Sequence, residues 1–172
     1  MAAERALKRR HVHKFGGSSL ADPVCYRRVA AIVEQQVGGD ELIVVSAAGK
    51  TTNRLIQLVE LAEAGDEAAG EAISALQAYQ QSLIDGLLEG ELLLDLSQQL
   101  ADDMQLIAKT LEGQFDRFAR NGLLAFGEVW SARLLAALLT SRGEKAIWLD
   151  ARSFLRAEDG ALVKVDTALS SE

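Results

Sequence analysis

A short strand pattern ends in a glycine turn in the stretch Val12-His13-Lys14-Phe15-Gly16-Gly17-Ser18-Ser19, and the predicted fold is built from this stretch. Asp22-Pro23 follows at once and is typical of a helix start, with aspartate as N-cap and proline in the first helical position. Adjacent glycines let the backbone approach a ligand closely, and a helix N-terminus offers N–H groups without internal partners. The stretch therefore predicts a strand, a tight turn and a helix that suit a phosphate-bearing ligand, with Lys14 as a mobile positive charge.

A second apolar run, Glu41-Leu42-Ile43-Val44-Val45-Ser46, follows the first predicted helix. Four consecutive apolar, partly β-branched residues between turn signals indicate a strand buried on both faces, as in a parallel sheet covered by helices. The order strand–helix–strand predicts a right-handed crossover. The intervening helix is predicted to stop at Gly38-Gly39, and its apolar face is expected to comprise Cys25, Val29, Ile32, Val33 and Val37.

The rest of the chain predicts mostly helix. Thr51 or Thr52 is expected to cap the next helix. Residues 67–112 predict a helical excursion from the sheet, shaped like a helical hairpin, and residues 113–121 are expected to be irregular. The last long helix is expected over 123–141, and its apolar face is predicted as Val129, Ala132, Leu135, Ala136 and Leu139. Ala146-Ile147-Trp148-Leu149 then predicts a third strand, closed by Asp150.

Composition favours one soluble, globular domain, since the 172 residues are 49% hydrophobic and 25% charged. A net charge of -7 disfavours nucleic-acid binding, which needs clustered lysine and arginine. Residues 1–10 are expected to form a disordered basic tail. No run reaches the ~18 apolar residues of a membrane span, so no membrane partner is expected. The single cysteine, Cys25, is expected to be buried and fits a reducing cytoplasm.

Three ligand motifs are disfavoured. Gly49-Lys50-Thr51 resembles the end of a P-loop, but that motif requires glycine where Val44 stands inside the second predicted strand. No G-x-G-x-x-G is present, so a dinucleotide fingerprint is unsupported. His11 and His13 fall on one strand face, and two imidazoles without a third ligand make a poor metal site.

Several polar residues remain as candidates at the ends of the predicted strands. In an open parallel sheet, ligands bind beyond the carboxyl ends of the strands, where Lys14, Ser46 and Asp150 fall. Lys14 could bridge the β- and γ-phosphates of a nucleotide, or could snorkel at a sheet edge. Ser46 and Thr52 could bind substrate or simply cap. Glu128 could pair with a substrate ammonium, or with a helix dipole.

Three of these motifs together resemble a known family. Lys14-Phe15-Gly16-Gly17-Ser18-Ser19 resembles the K-F-G-G-[ST]-S signature of aspartokinases. Val44-Val45-Ser46-Ala47-Ala48-Gly49, followed by Thr52-Asn53-Arg54-Leu55, resembles their second strand and substrate loop. Gly127-Glu128-Val129-Trp130-Ser131-Ala132-Arg133-Leu134, followed by Trp148-Leu149-Asp150-Ala151-Arg152, is most similar to the kinase half of type II bifunctional aspartokinase/homoserine dehydrogenases.

The resemblance implies an α/β amino-acid-kinase fold of the carbamate-kinase-like type, a three-layer αβα sandwich around a mostly parallel sheet. It implies transfer of the γ-phosphoryl group of ATP, with Mg²⁺ held mainly by the nucleotide phosphates, to the side-chain carboxylate of L-aspartate. The product, 4-phospho-L-aspartate, leads to lysine, threonine and methionine. The resemblance also implies a homo-oligomer in the full-length parent and a cytoplasmic location.

Carried over residue by residue, the family pattern makes Lys14 the catalytic group that neutralises the phosphates. The phosphate-binding residues are then Lys14, Gly16, Gly17 and Ser18, and the aspartate-binding residues are Ser46, Thr52 and Glu128. No residue is expected to bind a metal directly. Glu128 would face the ammonium group of aspartate, and Ser46 would line the junction of the two substrates.

The sequence departs from the family pattern in two ways. Many members have histidine where Phe126 stands, which changes the neighbourhood of Glu128. Family members also continue with strands that carry the adenine site, then with regulatory domains and, in the bifunctional type, a dehydrogenase. Residues 11–172 are therefore expected to be the N-terminal portion of the kinase domain, inactive in isolation.

Two other functions stay open at this point. One is a non-catalytic domain that binds partners through an exposed stripe of the helical excursion, formed by Leu93, Leu96, Leu100 and Ile107. The other is a related kinase that acts on glutamate or acetylglutamate, although Glu128 favours a substrate with a free ammonium.

Overall fold

The computed structural model describes residues 11–35, 41–155, 157–158 and 164–165. Within these ranges the helices and strands are β1 (Val12–Phe15), α1 (Pro23–Gln35), β2 (Leu42–Val45), α2 (Thr51–Glu63), α3 (Ala69–Asp85), α4 (Gly90–Leu111), α5 (Arg117–Leu124), α6 (Phe126–Ser141), β3 (Ala157–Glu158) and β4 (Lys164–Val165). β1 and β2 form one parallel pair, and β3 and β4 form a separate antiparallel pair.

The β1–α1–β2 unit is as predicted from the opening stretch. The parallel register runs from Val12 opposite Leu42 to Phe15 opposite Val45. A short 3₁₀ helix at Gly17–Leu20 follows β1. The carboxylate of Asp22 accepts a hydrogen bond of 2.8 Å from the N–H of Cys25, which confirms its role as the cap of α1.

The prediction that β2 is buried on both faces is wrong. Ile43 and Val45 are half-buried, whereas Leu42 is 50% and Val44 is 44% exposed. β1 alternates in the same way. One face of the β1–β2 sheet packs inward, and no element of the described residues covers the other.

The apolar face of α1 differs in part from the prediction. Its buried residues are Tyr26, Val29, Ala30 and Val33. Ile32 is 39% exposed and Cys25 is only partly buried, so the buried stripe lies one position away from the expected one. Val37 and Gly38-Gly39 lie outside the described residues.

The helical excursion forms two long helices, α3 and α4, which pack against each other and against α2. Gly90 begins α4 with a φ of 60°, a conformation that glycine adopts without strain. The stretch expected to be irregular instead contains α5, because the carboxylate of Asp116 accepts a hydrogen bond of 2.8 Å from the N–H of Ala119 and caps the helix.

The predicted third strand at Ala146–Leu149 is wrong. This segment has no regular secondary structure and pairs with no strand of the described residues. Ile147 is 83% and Leu149 is 59% exposed. An apolar run shows that a segment could pair, but it does not supply the neighbouring strand that pairing requires.

The helix α6 forms the centre of the core. Most of its residues are buried, and it contacts α1, α4 and β2. The helical stretch Arg117–Ser141 is long and apolar enough to cross a membrane by composition, yet 61% of its most apolar window is buried within the molecule. Such burial is typical of a core helix. The first turn of α6 lies beneath the loops that follow β1 and β2.

Candidate active site

Two loops extend from the carboxyl ends of β1 and β2 and are tied together through their main chains. The first loop comprises residues 16–21. The second, the substrate loop, comprises residues 46–52 and includes the first two residues of α2. The N–H of Ser46 donates to the carbonyl of Phe15 at 3.0 Å, and the N–H of Gly49 donates to the carbonyl of Gly17 at 2.8 Å. Main-chain hydrogen bonds thus continue beyond the strands and join the two loops.

Gly17 is the closest point of approach between the loops. A Cβ at this position would lie 2.5 Å from the carbonyl oxygen of Ala47 and 3.0 Å from that of Gly49. Gly49 has a φ of 54°, which L side chains rarely adopt. Both glycines are therefore required by this geometry.

The first turn of α6 packs against the same loop from a distant part of the sequence. A Cβ on Gly127 would lie 2.7 Å from the Cβ of Ala47 and 3.2 Å from the Cγ2 of Thr51. This contact places Glu128, the next residue, beside the substrate loop. The three stretches that resemble the family motifs are therefore neighbours in the fold.

Thr51 does not act as the cap of α2, which differs from one of the two expected assignments. The N-cap position belongs to Lys50, and Thr51 is the first helical residue, fully buried. Its Oγ1 donates to the carbonyl of Ala48 at 2.7 Å and accepts from Nε2 of Gln80 at 2.9 Å. Thr52, the expected substrate ligand, follows it and is partly buried.

The two charged residues singled out in the sequence are both exposed. Lys14 and Glu128 form no ion pair or hydrogen bond through their side chains with any described residue. Glu128 lies in the first turn of α6, and Lys14 lies on the uncovered face of the sheet. Both charges are therefore available to a ligand, since neither is neutralised within the described residues.

The turn at Gly16 leaves open space beside the main chain. A Cβ on Gly16 would meet no atom within 4 Å, and Ser18 is exposed. The first N–H groups of a helical turn have no internal acceptor, and the turn at Gly17–Leu20 begins here. Ser46, partly buried, stands at the start of the substrate loop directly after β2.

Asp150 does not stand at the end of a strand as expected. It forms an ion pair with Arg152, with 2.7 Å between Nη2 and Oδ2. That hydrogen-bonded guanidinium holds the pKa of the Asp150 carboxyl below its usual value, against the opposing effect of burial. The carboxylate therefore has a structural partner of its own.

The two histidines lie at the opposite end of the sheet. Nδ1 of His11 is 3.3 Å and Nε2 of His13 is 3.0 Å from the carboxylate of Glu41. The described residues contain no group of three or more side chains arranged to hold a metal ion. The histidines are thus partners of a carboxylate.

Sequence reasoning missed two residues that support the substrate loop, Tyr79 and Gln80 on α3. Gln80 is only 4% exposed. A signal was present, because Gln80 lies four residues from both Leu76 and Ile84 and so falls on the apolar face of its helix. A polar residue in such a stripe predicts a buried hydrogen bond.

Comparison with known proteins agrees with this geometry. The family model described as "Amino acid kinase family" matches residues 9–171. The chain is 44% identical over 168 residues to bifunctional aspartokinase/homoserine dehydrogenase 2 of Escherichia coli, covering 98% of this chain and 21% of that protein. It is 28% identical over 148 residues to the lysine-sensitive aspartokinase 3 of E. coli, covering 86% of this chain and 32% of that protein. The chain thus spans about a fifth to a third of these relatives.

Solved structures show the same fold. E. coli aspartokinase III in complex with aspartate and ADP superposes with a TM-score of 0.78 at 26% identity, covering 94% of this chain and 36% of that one. The same enzyme in complex with lysine and aspartate gives a TM-score of 0.81 at 27% identity, with the same coverage. The chain therefore has the amino-acid-kinase fold and belongs to the amino acid kinase family.

Proposed function

We propose that this chain supplies the aspartate-binding part and the phosphate-contacting lysine of an aspartate kinase. The observation that carries the proposal is the meeting of three distant stretches through Gly17, Ala47 and Gly127, beside two exposed and unpaired charges, Lys14 and Glu128. Relatives over nearly the whole chain are named as aspartokinases, and one solved neighbour holds aspartate and ADP.

The proposed reaction is phosphoryl transfer between two substrates, without a covalent enzyme intermediate. An oxygen of the aspartate side-chain carboxylate attacks the γ-phosphorus of ATP, and the bond to the β-phosphate oxygen breaks. The products are 4-phospho-L-aspartate and ADP. Catalysis of such transfers is mostly positioning and charge neutralisation, which is the role that we assign to Lys14 and the N–H groups of Gly16 and Gly17.

Aspartate recognition is assigned to the second half of the site. We assign Glu128 to pair with the ammonium group of aspartate, since an exposed carboxylate that pairs with no described residue suits a cation. The N–H of Ser46 is already engaged by the carbonyl of Phe15, so its hydroxyl is the group offered to substrate. Thr52 supplies a further hydroxyl on the same loop.

Mg²⁺ is proposed to enter with the nucleotide. We assign most of the ligation of the ion to the nucleotide phosphates, since Mg²⁺ in kinase sites is bound largely through substrate phosphates. A cytoplasmic location and a homo-oligomeric full-length protein belong to the same proposal.

The alternative of a helical interaction domain loses its supporting feature. Leu100 and Ile107 are 3% and 1% exposed, and Leu93 and Leu96 pack against the same core. The expected stripe is therefore internal. A glutamate kinase remains the second candidate, because glutamate carries the same ammonium that Glu128 would bind.

Replacement of Lys14 tests the proposal. In the full-length natural polypeptide that contains this sequence, we expect Lys14→Ala to lower kcat roughly 10²–10³-fold, the usual loss when one group stabilising transition-state charge is removed. A coupled assay of ADP release, with aspartate and glutamate as competing acceptors, measures it.

Lys109→Ala is the matched control, since Lys109 is another exposed lysine, in the last turn of α4 and outside both loops. We expect kcat to stay within about 2-fold, because this lysine is assigned no role in the reaction. Undiminished turnover in Lys14→Ala, or an equal loss in both variants, would contradict the assignment. Faster transfer to glutamate would select the second candidate.

A further inference from the structure

We infer that Tyr79 and Gln80, both on α3, are positioning residues that hold the substrate loop for aspartate. The inference rests on the proposed function and extends it to a part of the chain outside the motifs. Neither residue lies in the glycine turn, the substrate loop or the first turn of α6. Both reach the loops through side-chain contacts from the helical hairpin.

Gln80 acts through a chain of two hydrogen bonds. Its buried amide Nε2 donates to Oγ1 of Thr51 at 2.9 Å, and that hydroxyl donates to the carbonyl of Ala48 at 2.7 Å. A hydroxyl that accepts from one side and donates to the other is fixed in orientation. Because both atoms are buried, removal of the amide would leave the hydroxyl oxygen of Thr51 without a hydrogen-bond donor.

Tyr79 contacts both loops at once. Its hydroxyl donates to the carbonyl of Ala21 at 2.9 Å, where the first loop ends. The same oxygen lies 2.6 Å from where a Cβ on Gly49 would stand, so it lies directly against the substrate loop. The guanidinium of Arg54 lies 4.1 Å from the centre of the Tyr79 ring, which fixes the ring further.

The hydroxyl of Tyr79 is held in its donor form. Burial raises its pKa above the usual value, although the positive charge of Arg54 opposes this. The bond to Ala21 is therefore present throughout the neutral range. Together with Gln80, it connects the hairpin to the main chain on both sides of the close contact between Gly17 and Ala47.

The consequence is an effect on substrate affinity rather than on the reacting charges. Among the described residues, no hydrogen bond or ion pair joins Lys14 or Glu128 to Tyr79 or Gln80. A loosened substrate loop would misplace Thr52, to which the proposed function assigns aspartate binding. A change confined to binding raises KM while leaving kcat largely intact.

Gln80→Leu and Gln81→Leu form a matched pair that tests the inference. Among the described residues, the amide of Gln81 bonds only within the helical hairpin, to Asp85 at 2.7 Å and to Ser97 at 2.8 Å. In the full-length natural polypeptide, we expect Gln80→Leu to raise the KM for aspartate roughly 5–10-fold, with kcat within about 3-fold. Gln81→Leu is expected to leave that KM unchanged, even if its melting temperature falls by as much as that of Gln80→Leu.

Tyr79→Phe is the second variant and keeps the ring while removing the hydroxyl. It is expected to raise the same KM about 2–5-fold, the cost of one lost hydrogen bond. Hydrogen exchange of the peptide covering residues 46–52 provides a readout that does not depend on activity. We expect faster exchange there in Gln80→Leu and Tyr79→Phe, and wild-type exchange in Gln81→Leu.

The two readouts separate the outcomes. An active wild type whose Gln80→Leu and Tyr79→Phe variants keep both the wild-type KM and wild-type loop exchange overturns the inference and leaves the proposed function standing. A wild type without aspartate-dependent ADP release overturns the proposed function. In that case, loop exchange alone decides whether α3 holds the loop, and exchange equal to that of Gln81→Leu rejects it.

Discussion

The two ends of the β1–β2 sheet treat charge in opposite ways. At the amino end, Glu41 lies between His11 and His13 and hydrogen-bonds with both. Toward the carboxyl end, Lys14 and Glu128 are exposed, and neither pairs with a described residue. The amino end therefore satisfies its own charges, and the carboxyl end leaves them for something else.

The packing of the main chain is the reverse. The loops at the carboxyl end approach so closely that a single methyl on Gly17 or Gly127 would collide with Ala47. We call the closely packed residues Gly17, Ala47 and Gly127 the floor of the site. The charges of Lys14 and Glu128, unpaired among the described residues, are its edge. This division predicts that substitutions at the edge change activity without changing stability, and that substitutions in the floor change stability first.

Glu128→Gln tests the edge, and its expected effect is the largest after that of Lys14→Ala. In the full-length natural polypeptide, we expect the KM for aspartate to rise roughly 10–100-fold, because a hydrogen bond to a charged group contributes about 1.5–3 kcal/mol. The melting temperature should fall by no more than the loss of one favourable helix-dipole charge causes, about 0.3–1 kcal/mol of stability, since the side chain is exposed and pairs with no described residue. Steady-state kinetics and a thermal melt measure the two quantities.

Glu91→Gln is the control for Glu128, because Glu91 is also an exposed glutamate in the first turn of a helix. Both substitutions remove a charge that is favourable to the helix dipole. If both variants lowered the melting temperature equally and neither changed KM, Glu128 would be a helix-dipole partner only.

Gly17→Ala tests the floor. The new Cβ would lie 2.5 Å from a main-chain oxygen, which cannot move without shifting the loop. Overpacking of this kind costs roughly 1–3 kcal/mol, so a melting temperature lower by several degrees is expected. Gly16→Ala is the control, since Gly16 has open space around it and a φ of -80°. Equal melting temperatures in the two variants would show that the close contact is not rigid.

The sequence predicted the parts of this arrangement that depend on local signals. The glycine turn, the Asp22 cap and the parallel pairing of β1 with β2 follow from residues close together in the chain. The exposed face of β2 and the unpaired segment at Ala146–Leu149 did not follow, because burial and pairing depend on elements elsewhere. The bond from Gln80 to Thr51 joins residues 29 apart, and no local pattern names its partner.

Glu41→Gln tests the amino end and carries the smallest expected effect. Burial by itself would raise the pKa of the Glu41 carboxyl, but hydrogen bonds from His13 and His11, and their charges, outweigh it and lower the pKa below its usual value. A carboxyl whose pKa is lowered on folding stabilises the fold above its unfolded pKa, about 4.3. That stabilisation is lost as the pH falls through the lower, folded value.

Thermal melts of the full-length natural polypeptide from pH 7 to pH 3 measure this effect. We expect Glu41→Gln to melt slightly below wild type at neutral pH and to converge with it as the pH falls below about 4. Glu60→Gln, which replaces an exposed glutamate of α2, is expected to show neither the difference nor the convergence. A constant gap between Glu41→Gln and wild type across the whole range would mean that packing, and not charge, accounts for the role of Glu41. The contrast between the two ends of the sheet would then rest on the carboxyl end alone.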